Sequence, residues 1–259
     1  MSYPVSIHER LYVLVLVPTI IFVLVVAAYV FYPLVAPPSG ETVSLSTMLF
    51  ATFSTFMRIA IAYVLSLIVA VPLALLTVSN RTVEALLLPV FDILESVPIL
   101  AIFPVILLVF IQFNFLNGAA IFILFLNMLW NIVFALVGGL KIIPKDIISA
   151  AQVFHVTGFS YLRKIILPAI LPQLVTGSIL AVAEGWNLII VVEVLHTYIP
   201  GGTSAQDLFG IGSILVNAAA NAQSSVFLAA VGILVLIIGL VNLFVWQKLL
   251  RYAARFRFE

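Results

Sequence analysis

An all-α integral membrane fold is what this sequence predicts, and three observations predict it. Apolar residues make up 64% of the 259 and charged residues only 8%, whereas soluble domains sit nearer half and a quarter. The apolar residues fall in runs of about 20, the length a helix needs to cross hydrocarbon. The few Lys and Arg residues collect at alternate ends of those runs, which fixes a sidedness. Only helices or closed barrels satisfy the backbone in lipid, and runs of this length read as helices.

The spans follow in order. Residues 11–32 form the first, after a short head holding His8, Glu9 and Arg10. The run is too long for a signal peptide and no small-residue cleavage site follows it, so it is read as a retained helix. Residues 48–78 form the second, interrupted by Arg58, and residues 86–111 the third, with Asp92 and Glu95 early in it. The fourth covers 119–140, the fifth 170–195 and the sixth 226–246. Basic residues mark the cytoplasmic side. With the N-terminus inside, Arg10, Arg81, Lys141, Lys145, Arg163, Lys164, Lys248, Arg251, Arg255 and Arg257 are all cytoplasmic, and only Arg58 is not. The expected topology is six spans, N-in and C-in. Outer loops cover 33–47, 112–118 and 196–225, the last with a short helix at the outer surface. The basic C-terminal run reads as an anchor at anionic lipid headgroups.

Several chemistries are excluded. There is no cysteine, hence no disulfide, thiolate nucleophile or thiolate metal site. No Gly is followed by Lys, so the phosphate-cradling loop of many ATPases is missing. His8, His155 and His196 are far apart and fall on both sides of the membrane, so no shared metal site is expected. Each reads as a solvated or interfacial residue. No Ser-His or Ser-Lys pair stands out as a nucleophile. No cofactor and no nucleic-acid partner are expected; binding and transport must carry the function.

Polar residues inside the spans are the candidates for that function. Pro98 and Pro104 either kink the third span or break it so that it lines a path. Asp92 and Glu95 read as structural partners of Arg81 or the nearby loop, with solute contact as the other choice. Asn127 and Asn131, one turn apart, suit helix–helix hydrogen bonding. Gly201, Gly202, Gly210 and Gly212 read as turn formers in the outer loop, and Asp207 as a solvated carboxylate there. Glu184 lies about 18 Å into the membrane counted from Pro172. An uncompensated charge at that depth costs about 3 kcal/mol. Its carboxyl either faces the path or an interface between copies, bonded to Asn127 or Asn131, or is a buried structural group.

Arg58 lies about 30 Å of helix from Val78, and Glu193 about 31 Å from Pro172. The two reach similar depth near the outer boundary. Glu184, nine residues before Glu193, points half a turn away, so only one of the two carboxylates can face Arg58. Three choices stand for Arg58: an ion pair with Glu193 that closes the outer end, snorkelling to outer headgroups, or direct binding of an anion.

One stretch breaks the hydrocarbon. "SAAQVFHVTGFSYLRKIILPAILP", residues 149–172, mixes cations, amides and hydroxyls with apolar residues. Pro144 suits a first helical position and Asp146 a first turn. Ile147, Ala150, Ala151 and Phe154 follow helical spacing on one face with small residues at its centre. Gly158 permits a sharp turn and Ser160 can cap a second short helix. Read bottom-up, it is either a loop helix on the membrane surface or a docking element, with Ala150 and Ala151 allowing close approach and Phe154 filling a pocket.

That segment resembles the EAA loop of binding-protein-dependent ABC importer permeases, whose pattern is Glu-Ala-Ala, a Gly four positions after the second Ala, and a later Ile-x-Leu-Pro. Ala150, Ala151, Ile165, Leu167 and Pro168 stand at the matching positions; Ser149 replaces the Glu and His155 the Gly, with Gly158 restoring the turn three residues later. Four further stretches are similar to the nitrate/sulfonate/taurine-type members: "STFMRIAIAYVLSLIVAVPLALL", "LESVPILAIFPVILLVF", "AEGWNLIIVVEVL" with Trp186 in a Trp-and-Glu helix, and "LFGIGSIL". Arg58 and Glu193 stand at the family's matching Arg and Glu positions.

The resemblance implies a type I permease fold over residues 44–257, preceded by an N-terminal helix and outer loop over 1–43, with a coupling segment at 144–168. It looks closest to one half of the anion permeases in which two such domains are fused. It implies two permease copies or related chains, cytoplasmic ABC ATPase subunits contacting Ser149, Ala150, Ala151, Phe154, His155, Gly158, Leu167 and Pro168, and an extracytoplasmic substrate-binding protein. The path or its gate would hold Arg58, Pro98, Pro104, Glu184, Trp186 and Glu193. The chain itself would hydrolyse nothing. The setting implied is the inner membrane of a prokaryotic cell, in contact with lipid, and the solute a small oxyanion or sulfonate-like anion. Other readings are an ion-coupled secondary transporter, whose broken helices would recur as a repeat pair, and a membrane scaffold without a path.

Overall fold

The structure, a computed structural model, describes residues 43–199 and 201–256. The expected first span at 11–32, with Arg10, and the tail residue Arg257 lie outside them. Among the described residues all regular structure is helical: α1 (Leu45–Val78), α2 (Arg81–Ser96), α3 (Ile99–Gln112), α4 (Leu116–Lys141), α5 (Lys145–Val153), α6 (Gly158–Glu193), α7 (Ile211–Ala220) and α8 (Ser224–Phe256).

Of these, α1, α4, α6 and α8 are each long and apolar enough to cross a membrane. The expected span at 86–111 is instead two helices, α2 and α3, meeting at 84°. The break is at Val97-Pro98: Val97 is extended at φ −70°, ψ 122°, as a residue before proline prefers, and Pro98 opens the new helix without an N–H to bond backwards. Pro104 does not break the chain; it sits inside α3.

The helix α4 is the centre of the bundle, packed along α1 on one side and α6 on the other. Its apolar residues Ile123, Leu124, Met128, Ile132 and Leu136 are fully buried. Small residues bring the neighbours close, as membrane helices require in the absence of a hydrophobic drive between them. A Cβ on Gly177 of α6 would stand 2.4 Å from the Ala135 methyl of α4. Side-chain hydrogen bonds add to the packing. Ser66 of α1 donates to the Phe125 carbonyl of α4 at 3.0 Å, and the Tyr63 and Ser178 hydroxyls of α1 and α6 meet at 2.8 Å. Large apolar side chains such as Phe50, Phe53, Ile68 and Val105 point outward, the arrangement lipid rewards.

The chain therefore has two ends. At the basic end, α1 hands over to Arg81 of α2, and Lys141 at the foot of α4 pairs with Glu84. There, too, the last turn of α8 (Arg255, Phe256) meets Lys164 and Pro168 of α6. The opposite end holds Arg58, Asn117, Glu193 and the loop before α7.

The short helix expected in the last loop exists as α7, and it packs into the bundle. Ile211, Leu215 and Ala218 are buried against α1, α6 and α8.

Candidate functional site

Three places carry the polar chemistry of the described residues. The first is a clamp at the Arg58 end. Arg58 Nη1 donates to Glu193 Oε1 at 2.6 Å, Nη2 to the Phe209 carbonyl at 2.9 Å, and Nε to Asn117 Oδ1 at 2.8 Å. Each guanidinium nitrogen thus has a partner. Glu193 is fully buried and Arg58 only 7% exposed, so Arg58 neither snorkels to headgroups nor keeps a nitrogen free for an anion.

The carboxylate is served from the other side as well. Thr55 donates its hydroxyl to Oε1 at 2.6 Å, and the Gly212 N–H donates to Oε2 at 2.8 Å. Thr55 in turn accepts the Ile211 N–H at 3.0 Å. The Gly212 and Ile211 amides are first-turn donors of α7 that the helix itself cannot satisfy, and a negative charge beside them suits the helix dipole. Such a pair is stable in low dielectric only when every remaining polar atom is also bonded, and that is the arrangement found.

The glycines of "FGIGS" follow from this, not from turn formation. Gly210 is extended, at φ −171°, a conformation open to any residue. A Cβ there would lie 2.2 Å from the Glu193 carboxyl carbon, and one on Gly212 would lie 2.8 Å from Oε2. The carboxylate occupies the space. Asp207, expected in solvent, is likewise drawn in. It accepts the His196 backbone N–H at 3.0 Å and lies 2.8 Å from His196 Nδ1, so neither is a free loop residue.

The second place is a cavity of about 290 Å³ at the α2–α3 break. Glu95 and Pro98 come from the break, Asn127, Trp130 and Asn131 from α4, and Glu184 from α6. Glu184 does not form the expected bond to Asn127: Asn127 Nδ2 is closed off from solvent and has no acceptor among the described residues. Within this single chain Glu184 is exposed, on the cavity side. Trp186 is buried in the bundle core and does not line this cavity. Asp92 and Glu95 form no ion pair with Arg81 among the described residues; the acidic partner at the basic end is Glu84.

The third place is the segment after α4. Pro144 stands just before α5 instead of inside it. The helix ends in a Schellman motif: His155 N–H donates to the Gln152 carbonyl at 3.0 Å and Val156 N–H to the Ala151 carbonyl at 2.9 Å. The motif needs a left-handed residue, and His155 takes that role at φ 50°. The turn thus stays where the family pattern has Gly. Gly158, also left-handed at φ 58°, adds a second turn and does not replace the first. Thr157, not Ser160, precedes the next helix. That helix is not short: it continues through a π-helical turn at Leu162–Ile166 into the whole of α6, with Leu167 and Pro168 half-buried just beyond the turn.

Ala151, expected to meet a partner, is 4% exposed and packed against this chain. The exposed group is Ser149, Ala150, His155 and three large apolar side chains: Val153 at 73%, Phe154 at 77% and Phe159 at 75%. Val153 and Phe159 were missed by sequence reading, although a large apolar residue on each side of a turn is a visible signal.

The sequence model of the family described as binding-protein-dependent transport system inner membrane component matches residues 62–255. The chain belongs to this family. The match takes in the cavity, the segment and Glu193, while Thr55 and Arg58 precede it. Relatives of this inner membrane component include the bicarbonate transport system permease protein CmpB of Synechococcus elongatus, 32% identical over 58% of this chain and 53% of its own length. The nitrate import permease protein NrtB of Leptolyngbya laminosa is 29% identical over 62% and 56%. The taurine transport system permease protein TauC of Escherichia coli is 24% identical over 72% and 63%. The chain spans about half the length of the first two curated relatives. Among solved structures, a chain of the MetNI methionine ABC transporter in an inward-facing conformation superposes with a TM-score of 0.61, covering 81% of this chain and 97% of that one. At 18% identity this shows a shared fold.

Proposed function

We propose that this chain is the transmembrane permease subunit of an ATP-binding cassette importer. It forms the solute path in the inner membrane of a prokaryotic cell, while separate cytoplasmic subunits hydrolyse ATP. The observation that carries the reading is the segment of residues 145–161. Its apolar side chains stand exposed at the basic end of an inner membrane component, and its second helix runs on into a span. Exposed aromatic side chains on a short helix beside the membrane suit a groove in a partner protein.

The rest of the topology follows the charges. The basic end is cytoplasmic, with N-in and C-in, and six spans arise when 11–32 is counted and α2–α3 is taken as one broken span. A second copy of the chain or a related one completes the path across the α2–α3 face. The clamp at the opposite end closes the path externally, and a substrate-binding protein delivers solute there. The solute class is a small anion, by likeness to the bicarbonate, nitrate and taurine permeases.

The test is co-purification of an ATPase with tagged chain from membranes of its host, together with solute uptake. Phe154→Asp is expected to lower both at least tenfold at unchanged membrane level. Retention of both would overturn the coupling role.

A further inference from the structure

At the basic end three elements enclose a cavity of about 320 Å³. Ile147 comes from α5, Lys164, Ile165 and Pro168 from the start of α6, and Arg255 and Phe256 from the last turn of α8. The sequence explains why α6 is irregular there. Pro168 has no N–H for the Lys164 carbonyl four residues before it. The helix passes this stretch as a π turn, with the Leu167 N–H on the Leu162 carbonyl. Such turns are frequent at functional sites.

The lining has two chemistries. Lys164 and Arg255 are exposed cations, and no carboxylate lines the cavity among the described residues. The ion pairs among those residues are Arg58–Glu193, Lys141–Glu84 and His196–Asp207, so neither cation is neutralised by one. The rest of the lining is apolar. A soluble anion calls for polar groups around the charges. An apolar wall beside two cations suits a ligand that is anionic at one end and hydrocarbon at the other.

The surroundings carry the same pattern. Lys248, Arg251 and Arg255 are spaced i, i+3 and i+7 along α8, which places them on one face. Around them Leu249, Leu250 and Tyr252 are exposed, and Phe244 and Val245 continue that apolar surface into the span. Lys248 Nζ lies over the Phe244 ring, 5.7 Å from its centre, with the cation held where hydrocarbon gives way to water. The cavity thus lies just beyond the hydrocarbon, at the level of the lipid headgroups.

We infer that this cavity seats the phosphate of an anionic phospholipid between Lys164 and Arg255, with the lipid's hydrocarbon against the apolar surface of α8. Basic pockets between membrane helices bind headgroups of this kind. The site is more than a general attraction for the membrane, because Lys145 and Arg163 are equally basic and exposed and line no part of it. A lipid held there ties α5 and the start of α6 to the last span. That consequence for coupling rests on the permease reading; the binding does not.

The test uses the full chain, purified in detergent and offered equal amounts of phosphatidylglycerol and phosphatidylcholine with the same acyl chains. Lipid kept per chain after washing is measured by mass spectrometry. Two cations at the site are expected to favour phosphatidylglycerol about tenfold. Lys164→Gln combined with Arg255→Gln is expected to bring that ratio below about twofold. Lys145→Gln combined with Arg163→Gln removes the same charge and is expected to leave the ratio as it was. A ratio near one in the parent, or the same loss in both double variants, would overturn the site. Inorganic phosphate in excess is expected to displace no more lipid than chloride at matched ionic strength; greater displacement would make this a site for soluble phosphate and overturn the lipid. An unchanged lipid ratio in Lys164→Gln with Arg255→Gln, with ATPase co-purification lost, would overturn it too and assign both cations to the docking surface.

Discussion

The clamp at the Arg58 end and the segment at the basic end treat polar and apolar groups in opposite ways. In the clamp, Thr55, Arg58 and Glu193 are buried, and every polar group named, including those from α4 and the loop before α7, has a partner. In the segment, large apolar side chains stand in the open and the backbone turns on a left-handed histidine. The clamp is complete within this chain. The segment is complete only with something against it. A site that closes on itself contributes to the stability of the fold; one that leaves Phe154 and Phe159 uncovered contributes to association.

If that contrast is right, substitutions in the two regions separate by kind of effect. The largest loss is expected from removing one partner of the buried pair. Arg58→Leu or Glu193→Leu should each cost about 3–5 kcal/mol, read as a lowered thermal midpoint in detergent. The double mutant should recover part of that, because no charge stays unpaired; strictly additive losses would dissolve the pair. Gly210→Ala comes next, at about 3 kcal/mol, since its methyl would enter the space of the Glu193 carboxyl while all charges remain. A thermal midpoint matching the parent would show that the carboxylate has room to move.

Ala151→Arg is expected to cost about 2 kcal/mol, through overpacking within the chain and not through loss of a partner's groove. Faster proteolysis near residue 151 in the isolated chain would report it; a parent-like pattern would return Ala151 to the docking surface. His155→Gly should stabilise by about 1 kcal/mol, because glycine adopts the left-handed conformation without a Cβ clash. A destabilised segment in that variant would mean the imidazole has contacts that outweigh its strain. Phe154→Asp should change stability least, within about 0.5 kcal/mol, however strongly it affects association. A clear fall in the thermal midpoint would make Phe154 part of the fold.

Spans and pairing were legible where a regular helix let residues be counted. Arg58 and Glu193 fall at equal depth because α1 and α6 are continuous between the counted points. What a helix count cannot show is backbone from a loop. The Phe209 carbonyl and the Gly212 amide complete the clamp from the stretch before α7 and its first turn, whose path depends on where α7 packs, while Thr55 and Asn117 join it from α1 and α4. Gly210 looked like a turn residue because sequence shows the absence of a side chain but not the group that fills its place. The face of α5 was misread at one end for a related reason. Helical spacing puts Phe154 with Ile147 and Ala151, and its N–H still bonds to the Ala150 carbonyl at 3.0 Å, but the left-handed turn at His155 ends the helix there and leaves the Phe154 ring exposed. The 84° break at Pro98 was visible as a proline but not as an angle, and the cavity between the two helix ends exists only because of that angle.

The unbroken run of α6 from Gly158 to Glu193, 36 residues, has a mechanical consequence. At about 1.5 Å per residue it is a rod about 54 Å long, with the exposed aromatic segment at one tip and the Glu193 carboxylate at the other. Turned about its basic tip by about 3°, a rod of that length would carry Glu193 sideways by about 3 Å. Hydrogen bonds of 2.6–2.8 Å, such as those the Glu193 carboxylate receives, do not survive a displacement of that size. The geometry is one of gearing: a small rotation at one tip becomes, at the other, a displacement as long as the bonds that hold the Glu193 carboxylate.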